Sequence, residues 1–217
     1  MLPYWKDNLL RHNLDVMHIE KNVMDNILGT LLDIKGKTKA NLAAHKDLEE
    51  MGLRPTLHPF TQNGKTYIPA ACHTMSTEDK TNFLKVLQDV RVPDGYASNI
   101  YRCVKLDDRT ILGLKSHNSH VLMQQLLLIA LRGSNLPRSV VTPLVGMCTF
   151  FRGICSTTLD PEDLNKLESG VIVTLCQMEK VFPPGFFTSM VHVVVHLVRE
   201  CRLGGPVQWR WMYPGER

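Results

Sequence analysis

The sequence predicts a mainly α-helical protein whose C-terminal half is a helical bundle. Three observations carry that prediction. Apolar residues recur at helical spacing over long segments, most strongly in "HNSHVLMQQLLLIALRG", "LPRSVVTPLVGMCTFFRGICSTTL", "DPEDLNKLESGVIVTLCQMEKVF" and "PPGFFTSMVHVVVHLVRECRLGG". Start and stop residues bracket them: Gly133, the pair Asp160-Pro161, and Gly204-Gly205. The hairpin signal, by contrast, is a single Asn63-Gly64 pair.

In chain order, "HNLDVMHIEKNVMDNILGTLLDI" reads as an amphipathic helix. On a helical wheel Val16, Met17, Val23, Met24, Ile27 and Leu31 form one apolar arc, and Asp15, His18, Asn22, Asp25 and Asn26 lie opposite. Asn41 to Met51 reads as a second, more polar helix stopped by Gly52. The proline-rich "LRPTLHPFTQNGKTYIP" is a loop with a short hairpin at Asn63-Gly64. "STEDKTNFLKVLQDV" opens with a Ser/Thr cap and aligns Phe83, Leu84, Leu87 and Val90. "VPDGYASNIYRCVKLDDRTILGLKS" is turn-rich and marks a boundary. Among the later helices, Pro143 bends one, and the β-branched run Val193–Val195 weakens the helical reading of the last.

At 217 residues with 44% apolar and 21% charged residues, the chain has globular composition and enough length for a real core. The net charge of +4 is mild and contains no basic run, so it permits nucleic-acid contact without arguing for it. The six cysteines include no CxxC pair and read as reduced, mostly buried thiols of an intracellular protein. The longest apolar stretches, 121–131 and 191–198, are too short to span a bilayer.

Glu20 is the residue out of place, near the middle of the apolar arc of the first helix. A buried carboxylate without a partner is costly. Glu20 therefore either meets a basic side chain from another segment, sits on a half-exposed helix, or faces a metal. Two histidine pairs share helical faces: His117 with His120, and His192 with His196. Brought together they would make a tetrahedral zinc site. "HVVVH" lacks the glutamate of a metalloprotease helix, and the plainer reading is helix-end and core histidines. "VQWRWMYP" would, as a strand, place Trp209, Trp211 and Tyr213 on one face beside Arg210, a surface able to stack on bases or to dock protein. "GKTK" (36–39) lacks the spacing of a phosphate loop.

The string "LPYWKDNLLRHNLDVMHIEKNVMDNILGTLLDIKGKT" resembles the late part of the transposase of CACTA (En/Spm-type) plant DNA transposons. The resemblance continues through "LHPF", "YIPAACHTMS", "VPDGYASNIYRCV", "GLKSHNSHVLMQQLLLIALRG", "MEKVFPPGFF" and "GGPVQWRWMYPGER". The second half resembles a domain of unknown function that follows that transposase core. The resemblance implies a ribonuclease-H-like α/β core in which three acidic residues hold two divalent metals, Mg or Mn, for attack on a DNA phosphodiester. Glu20 is matched to the third acidic residue, with Asp15 as its rival.

The family's first two acidic residues lie upstream of the matched segment, and this chain opens at Met1 directly before "LPYWKD". A lone carboxylate cannot position two metals. The expectation is therefore a transposon-derived chain without catalysis or cofactor of its own. It divides into a core remnant with few short strands (1–55), an irregular connector (56–115) and a helical domain of unknown function (116–217). The alternatives are a module binding DNA or a full-length transposase, and a zinc enzyme built on the four histidines. Nuclear localisation follows from the resemblance alone.

Overall fold

A computed structural model describes residues 6–10, 13–91 and 100–211. The fold is mainly α. Helix α1 (Val16–Leu31) starts where the Asp15 carboxylate accepts from the backbone N–H groups of Met17 and His18, so Asp15 is an N-cap. Helix α2 (Leu42–Glu50) is capped by Asn41, and Gly52 follows it with φ +64°. Strands β1 (Phe60–Gln62) and β2 (Lys65–Tyr67) pair antiparallel across Asn63-Gly64, both at positive φ, as a two-residue hairpin turn requires. Ser76 caps α3 (Thr77–Asp89). A second hairpin, β3 (Val104–Lys105) with β4 (Thr110–Ile111), lies where the sequence indicated only turns. Both hairpins fall between residues 60 and 111, and no strand occurs among the described residues of 1–55.

Helix α4 (Ser116–Val121) passes through a π-helical turn (Leu122–Leu126) into α5 (Leu127–Leu131). Helix α6 (Arg138–Ile154) carries Pro143 buried in its second turn. Helix α7 (Pro161–Glu179) begins at the Asp160 cap with Pro161 in the first helical position. The expected fourth helix is interrupted: α8 (Ser189–His192) tightens to 3₁₀ geometry over Val193–His196 before α9 (Leu197–Gly204). The tightening coincides with the β-branched run. Gly205, at φ +77°, ends α9.

Helices α6 and α7 run antiparallel and pack closely. Gly146 faces Thr174 and Gly153 faces Leu167, two helical turns apart, and a Cβ on either glycine would overlap the facing side chain. Helix α1 packs on α4 and α8, and α3 packs on α5. One contiguous cluster of buried side chains runs from Val16 to Val207, so the three expected segments share a core. Helix α1 is buried on nearly every side. Asn26, which the wheel placed on the polar face, is buried and donates to the Phe186 carbonyl at 3.3 Å and to Thr188 Oγ1 at 3.4 Å. A second internal junction forms where Arg54 donates to the carbonyls of Glu179, Val181 and Phe182, closing the C-terminus of α7.

Candidate functional site

Glu20 is fully buried, so the half-exposed alternative is excluded. Its partner comes from another segment, but that partner is a histidine rather than an arginine or lysine. His120 Nδ1 donates to Glu20 Oε2 at 2.6 Å, and Gln124 Nε2 donates to Oε1 at 3.2 Å. His120 and Gln124 are one turn apart on the face of α4 and its π-helical turn that meets α1. The Gln124 carbonyl, in the π turn, accepts from Arg152 of α6, with Nε at 3.0 Å and with Nη2. The Gln124 amide also reaches the Phe151 carbonyl at 3.3 Å. Three elements are thus tied together around one carboxylate.

Cys155, the C-cap of α6, completes the cluster: ligand atoms of Glu20, His120 and Cys155 all lie within 4.8 Å of one another. Trp211 sets its ring against His120, edge to face at 5.8 Å. Burial pushes the Glu20 carboxyl above its ordinary range, and the hydrogen bond and charge of His120 oppose that rise. Burial likewise pushes the Cys155 thiol up, helped by Glu20, so Cys155 is a thiol rather than a thiolate.

The other expected residues are placed as follows. Asp15 is committed to capping α1. His117 stacks near His120, with centroids 6.2 Å apart. His192 and His196 are exposed, with rings 5.4 Å apart. Among the described residues the four histidines do not gather into one metal-ligating group; of the four, only His120 joins one. The expected aromatic strand is not formed: Val207–Trp209 is a 3₁₀ turn, and Met212 and Tyr213 lie outside the described residues. Trp209 is exposed while Trp211 packs on the core. Arg210 is used internally. It donates to Asn13 Oδ1 at 2.8 Å and to Glu200 Oε2 at 3.4 Å, while Glu200 accepts from the Leu14 N–H at 3.0 Å. Trp209 and Trp211 thus have different surroundings, and Arg210 makes its contacts within the fold.

Gln124 and Cys155 were missed. A glutamine inside the apolar "VLMQQLLLIAL", four residues after a histidine, was a usable signal for Gln124. Cys155 had none, because its approach to Glu20 depends on how α6 packs.

The Mg or Mn pair that the resemblance implies does not fit this cluster. Those ions take oxygen ligands and retain water. Here the carboxylate is dry and faces an imidazole, an amide and a thiol, with Asp15 engaged elsewhere.

Comparison with known proteins bears on the C-terminal part. Residues 154–217 match the family described as Domain of unknown function (DUF4218), which takes in the end of α6, α7 and everything after it. No curated protein and no solved structure matches the chain.

Proposed function

We propose that this chain is a transposase-derived helical module, related to the CACTA-type enzymes, that does not cleave DNA through Glu20. The seat of Glu20 carries the reading. A catalytic carboxylate must meet hydrated metal and a phosphodiester, whereas this one is enclosed between α1 and α4 and hydrogen-bonded at both oxygens. Its work is to hold the bundle together. The long sequence strings support the transposase relationship, and a nuclear location belongs to the same proposal.

The test is a nicking assay: the purified chain incubated with supercoiled plasmid and Mg²⁺ or Mn²⁺. The expected result is no product above the background seen with Glu20→Gln. Nicking that requires Glu20 would overturn the reading.

A specific observation favours a protein-binding role over a DNA-binding one. A groove of about 560 Å³ lies along α6 and α7, floored by Phe150, Leu159, Leu167 and Val171. The outer surface of α7 also exposes Ile172 and Val173. Arg210, the basic residue expected to contact DNA, is consumed inside the fold. Fluorescence anisotropy with duplex DNA over a salt series checks this. Weak binding is expected even at low salt; tight binding with a steep salt slope would restore the nucleic-acid reading.

A further inference from the structure

We propose that Glu20, His120 and Cys155 form a partly buried zinc site. The three side chains come from α1, α4 and the end of α6, and a carboxylate, an imidazole and a thiol converge with ligand atoms within 4.8 Å of one another. Zinc bonds of about 2.0 Å to nitrogen or oxygen and about 2.3 Å to sulfur place ligand atoms about 3.3–3.6 Å apart in a tetrahedron. The ligand atoms, within 4.8 Å of one another, need shift by no more than about 1.5 Å to reach that spacing. The 2.6 Å contact between His120 and Glu20 need open only by about 0.7 Å to admit the ion.

The ligand chemistry selects among metals. A thiolate and an imidazole with one carboxylate suit a borderline ion such as Zn²⁺ and exclude the hard, water-retaining Mg²⁺. Charge agrees with the location: Zn²⁺ with one carboxylate and one thiolate sums to zero, which suits a site built around the buried Glu20. On binding, the Cys155 thiol releases its proton to solvent. The proton that His120 Nδ1 donates to Glu20 also leaves to solvent, so that the ring binds as a neutral imidazole with its N–H on Nε2 and the Nδ1 lone pair on the ion. The Gln124 amide nitrogen touches both Glu20 Oε1 and His120 Nδ1, so it borders the site. The π-helical turn that places His120 and Gln124 together costs regular hydrogen bonding, a distortion often found at functional sites. This site is distinct from the four-histidine site expected from sequence, with which it shares only His120. It does not depend on the transposase reading.

The experiment uses the full chain, stripped with chelator and then titrated with Zn²⁺ against a chromophoric competitor, with Co²⁺ as the optical probe. One ion per chain is expected, with a sulfur-to-cobalt charge-transfer band and a tetrahedral d–d envelope. Cys155→Ser should abolish the charge-transfer band. His120→Gln should lower zinc affinity beyond the roughly 10–100-fold typical of changes outside the ligand shell. The double variant His192→Gln/His196→Gln should bind as the wild type does. Less than one ion per chain at micromolar metal overturns the proposal. So does a charge-transfer band that survives Cys155→Ser, or binding lost with His192 and His196. The wild-type cobalt spectrum reports sulfur ligation directly, so the proposal stays testable should a ligand variant fail to fold.

Discussion

Replacing Gly146 with alanine isolates the packing that joins α6 to α7. A Cβ built on Gly146 lies 2.4 Å from Thr174 Oγ1 and 3.0 Å from its Cγ2. An ordinary contact would be about 3.4 Å or more, so one helix must retreat by about 1 Å or Thr174 must rotate. Rotation is opposed, because Thr174 is β-branched and its hydroxyl donates to the Gly170 carbonyl at 2.9 Å. Overpacking of this kind costs about 1–3 kcal/mol, and the better helix propensity of alanine returns about 1 kcal/mol. With so short an approach, the net loss should be about 1–2 kcal/mol. Gly153 is the matched control. Its Cβ would meet Leu167 Cδ2 at 2.7 Å, the mobile end of a half-buried leucine. Gly153→Ala should therefore be close to neutral. Urea unfolding with unchanged m-values measures both. Thr174→Ala added to Gly146→Ala should relieve the clash, with a coupling of about 1 kcal/mol or more. A Gly146→Ala protein at least as stable as wild type, or an additive cycle, would refute the packing argument.

Three further outcomes follow from other parts of the fold. His120→Ala, measured in chelator, leaves the buried Glu20 carboxylate with Gln124 alone and should cost about 3 kcal/mol; adding Glu20→Gln should recover at least about 1 kcal/mol of it. Equal stabilities of the single and double variants would contradict the pairing. Arg54→Met removes a guanidinium bonded to three carbonyls at the end of α7 and should cost about 2–3 kcal/mol by thermal or urea unfolding. His73 is buried, with Nδ1 3.1 Å from the Val181 carbonyl, and its pKa is lowered to about 4. Burial is the main cause; Arg54 and His45 add to it, while the Val181 carbonyl and Asp33 oppose it. A folded value below the unfolded 6.5 means the unfolded chain takes up the proton first. The contribution of His73 is therefore complete above about pH 6.5 and is lost as pH falls toward 4, by up to about 3 kcal/mol. His73→Gln should flatten the stability–pH curve across that window, and an unchanged slope would remove His73 as its source.

Much of the fold was legible because it rests on local physics. Ser76 and Asp160 do cap helices, since a short polar side chain satisfies free N–H groups whatever surrounds it, and Asp15 and Asn41, not read as caps from the sequence, do the same. Asn63-Gly64 turns a hairpin because few other pairs adopt positive φ at both positions. The strongly apolar segments are helices of one core for the same reason. Periodicity misled where two sides of a helix are both covered: Asn26 is buried because α8 closes over the side of α1 that the wheel left to solvent. It also missed the π turn in 122–126 and the 3₁₀ turn in 193–196, which keep helical spacing to within a residue.

Glu20 marks the line between the two kinds of information. The sequence by itself determined that a carboxylate lies in the apolar arc of α1, where burial would demand a partner because an ion stripped of water is too costly to leave alone. Only the tertiary structure decided that the partner is His120, that Gln124 and Cys155 join it, and that Arg210 and the remaining histidines do not. Those groups are separated from Glu20 by a hundred residues or more, and no local propensity specifies which distant side chain arrives. The packing of α4 and α6 around α1 does.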